Sequence, residues 1–98
     1  MQASISQKAR GAYYTPRDVA RSLSAWARRG PEDRLLDPSC GDGRFLDGAR
    51  RAAGVEMDPD AAAEAKANAP GAEIHCAEFF EWSSRAEREF DAVVGNPP

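Results

Sequence analysis

The chain has 98 residues, of which 42% are hydrophobic, and its formal net charge is −3. A chain of this length can bury one small hydrophobic core and no more. The slightly acidic balance gives no general attraction to nucleic acid, so any basic groove for DNA must come from elsewhere. No apolar run is long enough to span a membrane and no signal-peptide pattern is present, so we expect no membrane partner.

The cysteine content predicts a reducing environment. The two cysteines, Cys40 and Cys76, are too few for a disulfide framework or a metal-binding set. We therefore expect two reduced, buried thiols in a cytoplasmic protein, and no metal site.

The first predicted element is an amphipathic helix. Residues 1–10 are polar and without periodicity, and we expect them to be flexible. Thr15 is a suitable N-cap, Pro16 fits the first helical turn, and Asp18 completes a capping-box-like pair. The apolar residues of the helix share one face: Val19, Ala20, Leu23, Trp26 and Ala27. The two tyrosines before the cap either staple the helix start or cover a ligand, and their spacing does not decide between these roles.

A glycine turn between a strand and a predicted helix is the centre of the sequence. Residues 34–36 form a short buried strand, and residues 37–46 read DPSCGDGRFL. Gly41 and Gly43 permit positive φ and close approach of a ligand to the backbone. Apolar residues then recur at helical spacing: Phe45, Leu46, Ala49 and Ala53. The pattern predicts the first half of a βαβ unit, with the helix N-terminus directed into the turn.

Two carboxylates in this turn indicate the charge of the ligand. Asp37 and Asp42 would repel a pyrophosphate but attract an ammonium or sulfonium group. S-adenosylmethionine carries both cations, so the turn favours a methyl-donor site over a dinucleotide site. An ordinary capped β-turn is the alternative.

The next two predicted strands each end in acidic residues. Residues 54–59 read GVEMDP, and an acid at the end of this strand binds ribose hydroxyls in Rossmann-like folds. Asp58 precedes Pro59 and an alanine-rich helix, so we assign it as the N-cap and assign Glu56 to the ribose. A third strand covers residues 72–76, and Glu78 and Phe79 follow it. This pair either binds and stacks on adenine, or the segment consists of two core phenylalanines, Phe79 and Phe80, with solvated acids. Residues 90–94 form a fourth strand.

These motifs together closely resemble the γ-class N6-adenine DNA methyltransferases of restriction–modification systems. Residues 11–16 resemble motif X, residues 37–46 motif I, residues 54–59 motif II, residues 77–82 motif III, and residues 96–98 the start of motif IV. The resemblance implies an α/β fold: a partial class I methyltransferase (Rossmann-like) parallel sheet of strand order 3-2-1-4 with an N-terminal capping helix.

The resemblance also implies site residues. The implied cofactor-binding residues are Tyr14, Thr15, Asp37, Ser39, Cys40, Gly41, Gly43, Glu56, Met57, Glu78 and Phe79. The implied catalytic residues are Asn96, Pro97 and Pro98. The Asn96 side chain and the Pro97 carbonyl would hold the amino group of a flipped adenine, which would receive the methyl group of S-adenosylmethionine. DNA is the implied partner, possible further partners being a restriction or specificity subunit.

Two departures from the family pattern shape the expectation for this chain. The aromatic residue that follows the second proline in the family, and the later strands, are not in the sequence. We therefore expect residues 11–98 to be the N-terminal half of a catalytic domain that does not methylate DNA by itself. The alternatives are a non-catalytic remnant that binds the cofactor and, less favoured, a protein-glutamine N-methyltransferase.

Overall fold

The fold is a parallel sheet with helices on its two faces. The computed structural model describes residues 15–86 and 89–95. In chain order the elements are α1 (Arg17–Ala27), β1 (Arg34–Asp37), β2 (Arg51–Glu56), α2 (Pro59–Asn68), β3 (Glu73–Cys76), α3 (Phe79–Arg85) and β4 (Ala92–Val93). All three strand pairings are parallel, and the strand order is β3-β2-β1-β4. The predicted α/β class and strand order are confirmed.

The sheet separates two small apolar clusters. Leu35 belongs to one cluster, with α2 residues such as Ala65, and the adjacent Leu36 belongs to the other. Successive side chains of a strand point to opposite faces, so these two leucines anchor both halves of the core. The half-buried aromatic rings of Phe79 and Trp82 on α3 cover the Leu36 cluster. A sheet buried on both faces positions the carboxyl ends of its strands rigidly along one edge.

The helix predicted after the glycine turn does not form. Between the end of β1 and the start of β2 the chain makes a series of tight turns, in which Gly43, Leu46 and Ala49 each donate to the carbonyl three residues earlier. Gly48 has φ +88°, which a regular helix does not accommodate. Ala53, which fits the helical spacing, lies inside β2. The crossover is close to the minimum length for joining parallel strands, and no helix N-terminus points into the turn.

The N-terminal helix covers this crossover instead. The buried Ser24 hydroxyl donates to the Phe45 carbonyl oxygen, and Arg21 pairs with Asp47 at 2.7 Å. The predicted apolar face of α1 is therefore partly wrong. Ala20 and Ser24 are buried, whereas Trp26 is 84% exposed.

The exposed side of α1 carries two further residues of the predicted face. Val19 and Leu23 are each 44% exposed. The N-cap is Pro16, without a side-chain bond, rather than Thr15, because the Thr15 carbonyl is used by Arg44 of the crossover.

Other differences concern boundaries and one cysteine. β2 begins at Arg51, three residues before the predicted start, and β4 contains only Ala92–Val93. Cys40 is buried as expected, but Cys76 is exposed because it ends β3, the outer strand of the described sheet. Among the described residues, no helix is both long and apolar enough to cross a bilayer.

Candidate functional site

The carboxyl ends of the four described strands bring several of the predicted site residues to one edge of the sheet. In the parallel register Asp37 lies opposite Gly54, and Glu56 lies opposite Cys76. Gly95 follows β4 on the other side of β1. Ligands of open α/β sheets bind outside this edge.

The glycine turn is fixed against the end of β2 by backbone and side-chain hydrogen bonds. The Cys40 N–H donates to the Val55 carbonyl at 2.9 Å. The Glu56 carboxylate accepts from the Gly41 N–H at 2.8 Å and from the Asp58 N–H at 2.9 Å. Glu56 thus joins the turn after β1 to the exit of β2, a structural role that the sequence did not predict. Each carboxylate oxygen retains a lone pair with which a ribose hydroxyl can bond.

Three glycines allow the turn to pack this closely. Gly41 and Gly43 have positive φ values of 53° and 84°. A Cβ at Gly43 would lie 3.0 Å from the Ala65 Cα of α2. A Cβ at Gly54 would lie 2.6 Å from Leu46 Cδ1. The turn therefore lies directly on β2 and α2, leaving the outer side of its backbone to a ligand.

Asp37 is the most unusual group at this edge. Its side chain is 1% exposed, its Oδ1 accepts from the Ser39 N–H at 3.1 Å, and its Oδ2 has no hydrogen-bond partner in the described residues. Burial raises the pKa of Asp37 to about 7, the negative charge of Glu56 adds to this rise, and the Ser39 bond opposes it. A Cβ at Gly95 would lie 2.5 Å from Asp37 Oδ1, so the carboxyl fills the space beside that glycine.

Asp42, by contrast, is already neutralised inside the protein. The Arg44 guanidinium makes two hydrogen bonds to its carboxylate, and Arg17 lies 3.9 Å away. Burial acts to raise the pKa of Asp42, but the bonds and charge of Arg44 outweigh it and hold the pKa below its ordinary value. The idea that both acids face a cationic ligand is therefore revised to Asp37 alone.

Arg44 is a residue whose role the sequence reasoning missed. Besides binding Asp42, its Nη1 donates to the Thr15 carbonyl oxygen at 2.7 Å. It thereby ties the segment before α1 to the glycine turn. An arginine two residues after an aspartate, within an otherwise small-residue turn, was the available signal.

The remaining predicted residues lie near the turn or after β3. Glu78 caps α3 by accepting from the N–H groups of Phe80 and Glu81. Phe79 packs against the Leu36 cluster, whereas Phe80 is 77% exposed. Met57 is 69% exposed directly after Glu56. Their roles toward a cofactor stay predictions.

The remaining predicted site residues are Cys40 and four residues that lie outside the described part of the chain. Burial raises the pKa of Cys40 to about 12, with Asp37 and Glu56 adding to the rise, so the thiol stays protonated and is not a nucleophile. Tyr14, Asn96, Pro97 and Pro98 lie outside the described residues. No cluster of potential metal ligands occurs within the described ranges.

A second cavity lies at the opposite, amino ends of the strands. It has a volume of about 310 Å³ and includes Arg34, Arg50 and Arg51 in its wall. Glu73 also lines it, and Glu32 pairs with Arg50 at 2.9 Å, so its positive charge is largely compensated. It is separate from the glycine turn.

The parallel sheet of order β3-β2-β1-β4, with a glycine turn after β1 and an acid ending β2, defines a Rossmann-like fold of the class I methyltransferase type. A family model described as N-6 DNA Methylase matches residues 1–62. The chain therefore belongs to the N-6 DNA methylase family.

Two curated relatives and one solved structure illustrate the similarity. The Type II methyltransferase M.CvrRI of Paramecium bursaria Chlorella virus XZ-6E is 31% identical over 103 residues, which are 96% of this chain and 26% of that protein. The Type II methyltransferase M.XamI of Xanthomonas campestris pv. amaranthicola is 35% identical over 101 residues, which are 90% and 19% of the two chains. The chain thus spans about a quarter or less of these relatives.

The solved structure that resembles this chain is a complex with a cofactor product. An RNA methyltransferase from Salinibacter ruber, solved with S-adenosyl-L-homocysteine, superimposes with a TM-score of 0.61 at 30% identity. The match covers 70% of this chain and 52% of that protein.

Proposed function

We propose that this chain forms the cofactor-binding part of an S-adenosylmethionine-dependent methyltransferase that acts on the N6 amino group of adenine in DNA. The observation that carries the proposal is the buried Asp37 carboxyl beside a glycine turn, with one oxygen unpartnered. Such a group matches a ligand that carries a cation and would disfavour a pyrophosphate. Membership of the N-6 DNA methylase family supports adenine as the target.

The residues present fit this cofactor. Asp37 offers an acceptor to an ammonium or sulfonium group, and the Gly41–Gly43 backbone allows close approach. Glu56 retains acceptor capacity for ribose hydroxyls, and the exposed Phe80 beside Glu78 offers an aromatic face near the end of β3. When bound, the cofactor supplies an electrophilic methyl group. The chain holds it in orientation through the rigid strand ends.

The predicted catalytic segment follows directly on this site. Gly95, which precedes Asn96 in the chain, packs against the Asp37 carboxyl. We propose that the Asn96 side chain and the Pro97 carbonyl accept hydrogen bonds from the adenine amino group and localise its lone pair, with Pro98 shaping the segment. The target base must leave the duplex to reach such a pocket.

A cofactor-binding measurement tests the first half of this proposal. Calorimetry on the folded chain at pH 8 should show binding of S-adenosylhomocysteine and much weaker binding of NAD. Glu56→Ala should weaken the binding by about 1.5–3 kcal/mol, the contribution of a hydrogen bond to a charged group. Asp58→Ala serves as the matched control, because Asp58 caps α2 through the Ala61 N–H. Tighter binding of NAD would refute the assignment.

A second candidate substrate is adenine in RNA. The structurally similar protein from Salinibacter ruber is an RNA methyltransferase, so the fold alone does not distinguish DNA from RNA as the substrate. Methyl transfer by a longer protein that carries this segment, assayed on unmethylated duplex DNA and on tRNA, distinguishes them. We expect transfer to DNA, and an Asn96→Ala variant that retains cofactor binding but loses transfer. A specificity subunit and a cytoplasmic location stay predictions.

A further inference from the structure

The unpartnered oxygen of Asp37 needs either a proton or a cation. The side chain is 1% exposed, so water contributes little to its solvation, and Oδ2 accepts no hydrogen bond within the described residues. An ionised carboxylate in such a place is costly unless it is paired. Without a cation beside it, the Asp37 carboxyl therefore favours its neutral, protonated form.

The groups around Asp37 in the described part of the chain leave this need unmet. Glu56, at the end of β2, is negative and disfavours a second charge nearby. In the crossover, the thiol of Cys40 is neutral, and the pair of Asp42 and Arg44 compensates itself. The contact from the β4 side is with Gly95, which brings no side chain. No lysine, arginine or histidine among residues 15–86 and 89–95 forms an ion pair with Asp37.

We propose that binding of the cofactor displaces the proton of Asp37, so that cofactor capture is linked to pH through this one carboxyl group. The inference rests on the proposed function, because it requires a cationic ligand at the glycine turn. The O–H bond of Asp37 breaks, the proton passes to the solvent, and the carboxylate pairs with the ammonium or sulfonium group. No electrons are transferred and no other reactant is needed.

The sign of the pH dependence follows from the protonation of Asp37 in the free protein. Asp37 in the free protein has a pKa of about 7, and a cation beside it lowers the pKa in the complex. Below pH 7 each binding event must expel a proton, so the affinity falls by about tenfold per pH unit until the pKa of the complex is reached. Between pH 8 and pH 6 the dissociation constant should rise by about tenfold through Asp37.

Calorimetry in two buffers measures the number of protons that are released when the ligand binds. The 98-residue chain is titrated with S-adenosylhomocysteine in phosphate and in imidazole, which both buffer from pH 6 to pH 8 and whose different ionisation enthalpies reveal the protons released. Asp37 should release nearly one proton per ligand at pH 6, about half at pH 7 and close to none at pH 8. The amino group of this ligand is that of a free amino acid and stays largely protonated from pH 6 to pH 8, so it contributes little to the release.

Variants and a second ligand locate the proton. Asp37→Asn should abolish the release and make the affinity nearly independent of pH between 6 and 8. Asp91→Asn is the matched control, since Asp91 lies at the opposite edge of the sheet and binds the Arg34 N–H. The compound 5′-methylthioadenosine, which lacks both the ammonium and the sulfonium group, should bind without displacing the proton.

The outcomes separate the two proposals. Absence of binding at pH 8 by a folded chain refutes the proposed function and this inference with it. Binding without proton release from the wild-type chain at pH 6 refutes the inference alone, and that result does not depend on the folding of any variant. Equal release from wild type and a folded Asp37→Asn protein also overturns it.

Discussion

Glu56→Gln should destabilise the protein strongly, although the substitution changes only one atom of the carboxyl group. In the wild type the two carboxylate oxygens accept from the N–H groups of Gly41 and Asp58, at 2.8 and 2.9 Å. The amide keeps the shape of the side chain but offers a single oxygen. Its NH₂ group would face one of the two backbone donors, and that buried N–H would lose its acceptor.

The expected loss is worked from these two bonds. A hydrogen bond to a charged group contributes about 1.5–3 kcal/mol, and a neutral one about 0.5–1.5 kcal/mol. Losing one charged bond and weakening the other therefore predicts a loss of about 2–4 kcal/mol. Removing the negative charge of Glu56 also eases the burial of Asp37, but this gain is the smallest of the influences on that group. The loss is large beside the total stability of about 5–15 kcal/mol typical of a domain.

Urea unfolding at pH 8, followed by the fluorescence of Trp26 and Trp82, measures the difference. Glu64→Gln on the exposed side of α2 is the control and should change the midpoint little. If Glu56→Gln unfolds at the same urea concentration as Glu64→Gln, the two backbone bonds do not hold the turn and the reasoning is wrong.

Further changes should act on stability through single contacts. Asp37→Asn should raise the stability at pH 8 by about 1–3 kcal/mol but change it little at pH 4, because an acid with a raised pKa destabilises the fold as the pH rises from about 4 to 7. Thermal unfolding at both pH values measures the difference, and an equal gain at each pH would contradict the prediction. Gly54→Ala should cost about 1–3 kcal/mol in urea unfolding, since its Cβ would meet Leu46 Cδ1 at 2.6 Å. Asp58→Ala should cost about 1 kcal/mol through loss of the α2 cap, and an unchanged midpoint would show that the cap is unimportant.

The strands could be predicted from local patterns, and their order followed from the resemblance to class I methyltransferases. Each strand is short, each is followed within two residues by a glycine, proline or acidic residue, and parallel strands place those exits at one edge. The different roles of Asp58 and Glu56 were predicted from an equally local pattern, because an acid that precedes a proline and an alanine run caps a helix. The N-cap role of Asp58 is confirmed.

The failures arose where tertiary contacts override local spacing. Phe45, Leu46 and Ala49 fit a helix, but the crossover is too short and contains Gly48 in a left-handed conformation. The buried face of α1 depends on what the helix meets, and Ser24 finds a carbonyl there. A pattern read along one helix cannot reveal this partner.

The same limitation affected the charges of the site. The sequence has two acids in the turn, but in the folded protein the Arg44 guanidinium neutralises the charge of Asp42. The burial of Asp37, and the missing partner of its Oδ2, depend on β2 and β4 packing around β1. Sequence alone indicated the turn after β1, but not which of its two acids is left without a partner among the described residues.

The position of α1 has a consequence for where the protein can be shortened. All four strands lie after residue 33, so a piece beginning at β1 would keep every strand pairing of the described sheet. It would nevertheless lose the hydroxyl of Ser24 and the carbonyl of Thr15, which hold Phe45 and Arg44 of the crossover. A piece that is to keep the crossover in place must therefore include Thr15 and α1, because the sheet alone would leave this loop without their support.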